Sequence, residues 1–136
     1  MQIPPIDTFR QADGVAHGPP FSVDPEGCDF TLTIPEGDTM FEPHEPSYRI
    51  AMDVLAELDA LTATSVEYLR RIVDFGKMGI SGPPSSLLHV QVDARAERVT
   101  ISMAWDADIY AEWMVTFFWR DGAAHRWPNG MALRSR

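Results

Sequence analysis

The chain has 136 residues, 45% of them hydrophobic, a single cysteine and a formal net charge of −9. This length is enough for one domain with its own core, and one cysteine excludes an internal disulfide. The acidic balance argues against nucleic acid or an anionic membrane as a partner. Because we find neither a basic N-terminal region followed by an apolar run nor a membrane-length apolar stretch, we expect a cytoplasmic protein.

The negative charge is concentrated in the first half of the chain. Residues 1–62 contain twelve acidic and two basic residues, a net charge of −10, whereas residues 63–136 contain eight acidic and nine basic residues, a net charge of +1. Between Arg10 and Arg49 there are eight acidic residues and no Lys or Arg. Such a surface either attracts a basic partner or simply keeps the protein soluble, and the sequence leaves both interpretations open.

Residues 1–27 are rich in Pro and Gly, which predicts an N-terminal arm lying over the domain rather than a helix. Residues 28–34 alternate between apolar and polar side chains and follow a Pro-Glu-Gly turn, so we predict a strand. Cys28 falls on the apolar side of this strand and lies beside Asp29, which opposes thiolate formation. We therefore predict that the thiol is structural and not a catalytic nucleophile.

Two helices are predicted next. The first extends from Tyr48 to Leu61 with Ser47 as its N-cap, and the second begins at Thr64, because Thr64 and Glu67 have the spacing of a capping box. Gly76 is a natural C-terminal stop. The short link predicts an antiparallel helix pair. The apolar residues expected to face the core are Ala51, Val54, Leu55, Leu58, Leu61, Val66, Leu69, Ile72 and Val73.

The rest of the chain has the alternation of β-strands. Leu88, Val90 and Val92 predict one strand, and residues 98–120 predict a hairpin that contains three of the four tryptophans. The inward residues of the hairpin are expected to be Val99, Ile101, Met103 and Trp105 on one arm, and Trp113, Val115, Phe117 and Trp119 on the other. A last short strand is expected within residues 124–127, before a turn at residues 128–130 and a basic, frayed end.

These elements predict a single α+β domain over residues 1–136. We expect an antiparallel sheet of four to five strands, with an antiparallel helix pair packed on one face.

Catalytic motifs are weak or absent in the sequence, so we expect neither an enzyme nor a cofactor. Glu42, His44 and Glu45 are possible metal ligands, but the neighbouring prolines keep the backbone extended and no second ligand cluster exists, so we expect no metal. Asp106 and Asp108 flank the predicted hairpin turn, with Glu112 nearby. Paired carboxylates can act as an acid–base group when a cleft holds them, but Asp is common at turns for local hydrogen-bonding reasons, and we favour that interpretation.

Two alternatives remain: a structural subunit that forms a stable homo-oligomer through its tryptophan-rich face, and a small enzyme or ligand-binding domain with an aromatic-lined cleft in the sheet. The candidate lining residues of this cleft are Trp105, Tyr110, Trp113, Phe117, Phe118 and Trp119.

A small, acidic α+β chain without catalytic motifs resembles the immunity proteins that neutralise bacterial polymorphic or contact-delivered toxins. The resemblance is one of size, charge and missing chemistry. It implies an inhibitor that occludes a basic active-site surface of a cognate toxin, acting as a monomer or weak homo-oligomer. In the acidic loop, Met40 and Phe41 are predicted as apolar anchors inside a charged rim. The predicted partner-binding residues are Glu36, Asp38, Met40, Phe41, Glu42, Glu45, Asp106 and Asp108.

Overall fold

The fold was analysed in a computed structural model, which describes residues 10–12, 15–17, 21–22, 29–35, 46–93, 96–106, 108–120 and 127–135. Side chains are described within residues 49–93, 96–106, 108, 111–120 and 127–135. Eight strands and two helices occur in these parts of the chain. They are β1 (Arg10–Ala12), β2 (Val15–His17), β3 (Phe21–Ser22), β4 (Asp29–Pro35), α1 (Pro46–Ala56), α2 (Leu58–Ile72), β5 (Ser86–Asp93), β6 (Arg98–Trp105), β7 (Asp108–Phe118) and β8 (Trp127–Ser135).

The strands lie in the order β1-β2-β4-β5-β6-β7-β8, and β3 pairs with β4. The four strands β5 to β8 are antiparallel, which together with the helices confirms an α+β fold. The predicted antiparallel pattern does not extend to β4, because Leu32 of β4 lies opposite Val90 of β5 in a parallel pair. Parallel neighbours need a long crossover, and here α1 and α2 supply it.

The helices begin and end at other residues than predicted. A single residue, Glu57, separates α1 from α2, and the backbone N–H of Leu61 donates to the carbonyl of Glu57 at 2.9 Å. Antiparallel helices are joined by two to five loop residues, so the predicted helix hairpin is not confirmed. Thr64 lies inside α2 and not at its start. The predicted break was wrong because apolar residues continue across it at helical spacing.

The C-terminal end of α2 also differs from the prediction. The helix ends at Ile72, and Val73 is extended, with φ −120° and ψ 136°, so Gly76 is not the stop. Ile72 was predicted to face the core but is 53% exposed. After the helix, the indole Nε1 of Trp105 donates to the carbonyl of Gly82 at 3.2 Å, which attaches the connecting segment to the sheet.

The predicted hairpin is confirmed as the centre of the core. Its eight predicted inward residues are between 0% and 2% exposed, and β6 and β7 are antiparallel. The helix residues Val54, Leu58 and Leu69 belong to the same buried cluster as these strand residues. Burying a large apolar side chain stabilises the folded state by roughly 1.5–3 kcal/mol, so this cluster is a main source of stability.

Two strands depart from the predicted pattern. In β5 a register shift follows Leu87, so Leu87 is buried and Leu88 is only partly buried. The predicted turn at residues 128–130 is wrong, because β8 passes through it and pairs with β7 as far as Ser135. This strand is the last in the described sheet order, where proline and a register irregularity are tolerated.

Candidate functional site

Six of the eight predicted partner-binding residues lie in parts of the chain that the structure does not describe. Glu36, Asp38, Met40, Phe41, Glu42 and Glu45 lie outside the described residues, as do Cys28 and His44. These predictions therefore stay predictions.

Asp106 and Asp108 lie at the β6–β7 turn, as predicted. Asp108 is half-buried and pairs with Trp105 across the hairpin, whereas Asp106 is exposed. The backbone N–H of Asp106 donates to Oγ of Ser85 at 2.9 Å, which attaches the turn to the start of β5. Glu112 is bound by Arg134 of β8. The three carboxylates therefore do not form one acid–base group at the turn.

Glu112 is the centre of a polar network that crosses the sheet. Its carboxylate accepts two hydrogen bonds from Arg134, from Nε and from Nη2, each 2.9 Å long. Nδ1 of His89 lies 3.5 Å from Oε1 of Glu112, and Nε2 of the same ring lies 3.2 Å from Oγ of Ser102. The Glu112 side chain is 7% exposed, so its charge is largely removed from water and needs these partners.

The order serine, histidine, carboxylate has the connectivity of a nucleophile, a base and an orienting group. Ser102 is fully buried and sits in the middle of β6, opposite His89 on one side and Met114 on the other. Its backbone is therefore surrounded by paired strands, whereas acyl transfer needs backbone donors aimed at the reacting oxygen. We interpret the network as a structural tie between β5, β6, β7 and β8.

Sequence reasoning missed this network. One signal was present, since His89 and Ser102 occupy the polar positions of alternating strands and therefore face away from the main core. The pairing register was the missing information, because it is the register that places His89 directly opposite Ser102. A shift by one residue would move either side chain to the other face.

Four of the six aromatic residues predicted to line a cleft lie in the core. Trp105 and Trp113 are 2% and 0% exposed, and Phe75 packs edge-on against both, with ring centroids 5.3 and 5.1 Å apart. Phe117 and Trp119 are also buried. Trp105, Trp113, Phe117 and Trp119 are therefore core residues, whereas Phe118, on the opposite side of β7, is 38% exposed, and the side chain of Tyr110 lies outside the described residues.

Open concave surface is found instead along α2. One groove of about 620 Å³ lies between α2 and the segment leading into β5, and its walls include Ala63, Val66 and Leu87. A second groove of about 630 Å³ lies around the C-terminal end of the helix and includes Phe75. Arg70 lines both grooves. Each is within the size range of ligand pockets.

The described helices also carry part of the acidic surface. Residues 50–69 contain four acidic residues and no Lys or Arg. Asp53, Glu57 and Asp59 are exposed, and Met52 is 51% exposed beside them. Asp53 and Glu57 are one helical turn apart, a spacing at which like charges destabilise a helix by about 0.2–0.5 kcal/mol. Met52 is thus an exposed apolar side chain close in sequence to acidic residues in the first half of the chain.

Comparison with known proteins adds no family assignment, since no family model, curated protein or solved structure matches the chain. None of the helices in the described ranges combines the length and the apolar character needed to cross a bilayer.

Proposed function

We propose that this protein binds a basic protein partner through its acidic first half, in the manner of an immunity protein that covers the cationic active-site surface of a bacterial toxin. The observation that carries the proposal is the charge asymmetry, −10 over residues 1–62 against +1 over residues 63–136. Fields of one sign accelerate encounter with an oppositely charged protein and select against partners of the same sign.

The surface of α1 supports this proposal with a described side chain. Met52 is half exposed in α1 beside the exposed Asp53, and the exposed Glu57 directly follows the helix, which is similar to the arrangement predicted for Met40 and Phe41. Apolar anchors inside a charged rim carry much of the energy of a tight interface, while the rim raises the association rate. We propose that residues 38–45 and α1 both contribute to the contact with the partner.

The function is tested with the protein encoded by the neighbouring gene as the probe. We expect the two proteins to co-purify, the chain to suppress any toxicity of its neighbour, and the association rate to fall as NaCl is raised, since salt screens steering. Failure to associate at low ionic strength contradicts the proposal.

Matched charge variants locate the contact. The variant D53N/E57Q removes one charge from α1 and one from the residue that follows it, and D74N/E97Q removes two charges from side chains of the second half that are 61% and 40% exposed. We expect the first pair to slow association about three- to tenfold and the second to leave it unchanged. The quadruple variant E36Q/D38N/E42Q/E45Q is expected to slow association most. Wild-type affinity for the partner in that variant would contradict the proposal.

We also propose that α1 and α2 cover the same face of the sheet, which leaves the network around Glu112 on the opposite face. The support is that helix residues and the inward residues of β5, β6 and β7 belong to one buried cluster. Nuclear Overhauser contacts are expected from Val54 and Leu58 methyl groups to Ile101 but not to Met114. Contacts from helix methyl groups to both faces would contradict this arrangement.

A further inference from the structure

The groove between α2 and the segment leading into β5 has one wall made by a single helical stripe. Asp59, Ala63, Val66 and Arg70 follow one another at intervals of three and four residues, so they line the same side of the helix. Pro83 and Leu87 are in the facing wall. Helix and segment are joined at one end, because Nη2 of Arg70 donates to the carbonyl of Gly82 at 3.4 Å.

The lining of this groove has an apolar part beside polar residues, which include Thr62 and Ser85. Val66 and Leu87 are 8% and 9% exposed and are the two buried residues of its lining, while Ala63 is exposed and contributes only a methyl group. Because Ala63 has so small a side chain, the helix leaves space between itself and the two prolines that precede β5. An apolar side chain of moderate size fits such a space, and burying it there is favourable.

The two ends of the groove carry opposite charges. Asp59 and Arg70 are both exposed and are eleven residues apart, which is about 16 Å along a helix that rises 1.5 Å per residue. Glu67 also lines the groove, but its carboxylate accepts a hydrogen bond from Arg71 at 2.7 Å and its charge is balanced there. The long bond from Arg70 to Gly82 leaves the other guanidinium N–H groups available to a ligand.

We propose that this groove binds an extended peptide segment of a partner protein. An extended chain advances about 3.3 Å per residue, so about five residues span the distance from Asp59 to Arg70. The geometry assigns a cationic side chain to the Asp59 end, small or branched apolar side chains to the centre over Val66, and a carboxylate to the Arg70 end. The proposal goes beyond the function proposed above and does not rest on it, since it uses neither Met52 nor the acidic loop.

The proposal is tested with blocked synthetic pentapeptides and the isotope-labelled full chain. The probe KVAVD carries both end charges, and the controls DVAVD and KVAVK each carry one mismatched end. We expect KVAVD to shift the amide signals of Ala63 and Val66 and to bind about threefold or more tightly than either control, the size expected of one exposed ion pair. Equal affinity of the three peptides, or no shift at several millimolar KVAVD, overturns the proposal.

Variants of the chain separate the groove from the rest of the helix. Phenylalanine at Ala63 fills the groove, so A63F is expected to weaken KVAVD binding by about tenfold or more, as the loss of a central pocket contact does. The matched control is A60F, an exposed position of α2 outside the groove, and it is expected to bind normally. Equal weakening by A60F overturns the assignment.

A charge cycle tests the orientation. The variant D59N is expected to weaken KVAVD about threefold and to leave AVAVD, which lacks the lysine, unaffected. If D59N changes both peptides equally, the cationic end does not lie at Asp59 and the assignment fails. Because Asp53 and Glu57 do not line the groove, D53N/E57Q is expected to bind KVAVD normally, and weaker peptide binding by this variant overturns the assignment to the groove.

Discussion

Arg134 and Glu112 form a two-bond ion pair that joins the last strand to β7, with both hydrogen bonds 2.9 Å long. The Glu112 side chain is 7% exposed and that of Arg134 is 57% exposed. A buried carboxylate without its partner is costly, whereas an exposed guanidinium is easily hydrated. The pair therefore matters chiefly because it prevents Glu112 from being buried alone.

Removing Arg134 is expected to destabilise the fold. Among the partners that the structure describes for this carboxylate, R134A leaves His89, whose Nδ1 is 3.5 Å from Oε1. We expect R134A to lower the free energy of unfolding by about 1–3 kcal/mol, measured by urea denaturation. Replacing both partners in E112M/R134M is expected to cost less than R134A alone, since no unpaired charge remains.

A second ion pair is the control. Nε of Arg120 lies 3.3 Å from Oε1 of Glu97, and the two side chains are 66% and 40% exposed. Exposed pairs contribute about 0–1 kcal/mol, so R120A is expected to fall within that range. If R120A costs as much as R134A, burial of the carboxylate is not the cause of the effect.

Phe75 is expected to be one of the most sensitive positions. It comes from the segment after α2, yet it is 5% exposed and lies edge-on against Trp105 and Trp113. Truncating a buried phenylalanine costs about 3–5 kcal/mol, so F75A is expected to lower the unfolding midpoint strongly. The control F118A, at a 38% exposed site, is expected to stay within about 1 kcal/mol. Comparable losses in both variants would contradict a core centred on these rings.

The sequence was sufficient to predict the central hairpin because its alternation is long and its inward residues are large. The same reasoning failed at Leu87, because a register irregularity in β5 changes which residue is buried and no turn residue marks it. It also failed at β8, where Pro128 and Gly130 suggested a turn but are accepted by a strand at the end of the described sheet.

The polar network shows the same limit at the level of side chains. The network joins three strands through His89, Ser102 and Glu112. Hydrophobic alternation predicts which face of the sheet each side chain lies on, but a shift of the pairing by two residues keeps that face and changes the partners. The acidic asymmetry, by contrast, is a property of the sequence alone, and the exposed Asp53 and Glu57 agree with it at the positions that the structure describes. The sequence was therefore a better guide to where acidic residues are exposed than to which side chains meet across the sheet.

The helix junction provides the last prediction. The capping-box interpretation placed a helix start at Thr64 and a reciprocal bond from Glu67 to the Thr64 backbone. In the structure Thr64 is exposed within α2. The carboxylate of Glu67 accepts a hydrogen bond from Nη2 of Arg71 at 2.7 Å, and the hydroxyl of Ser65 donates to the carbonyl of Leu61. The backbone around Thr64 thus belongs to a continuing helix and needs no cap.

The variant T64A distinguishes the two arrangements by the sign of its effect. Loss of an N-cap costs about 1 kcal/mol, whereas alanine in place of an exposed threonine inside a helix stabilises it by up to about 0.7 kcal/mol. We expect T64A to raise the free energy of unfolding, measured by urea denaturation with the helix content followed by circular dichroism. A clear loss of stability would mean that a helix starts at Thr64, and that the chain breaks there and not at Glu57.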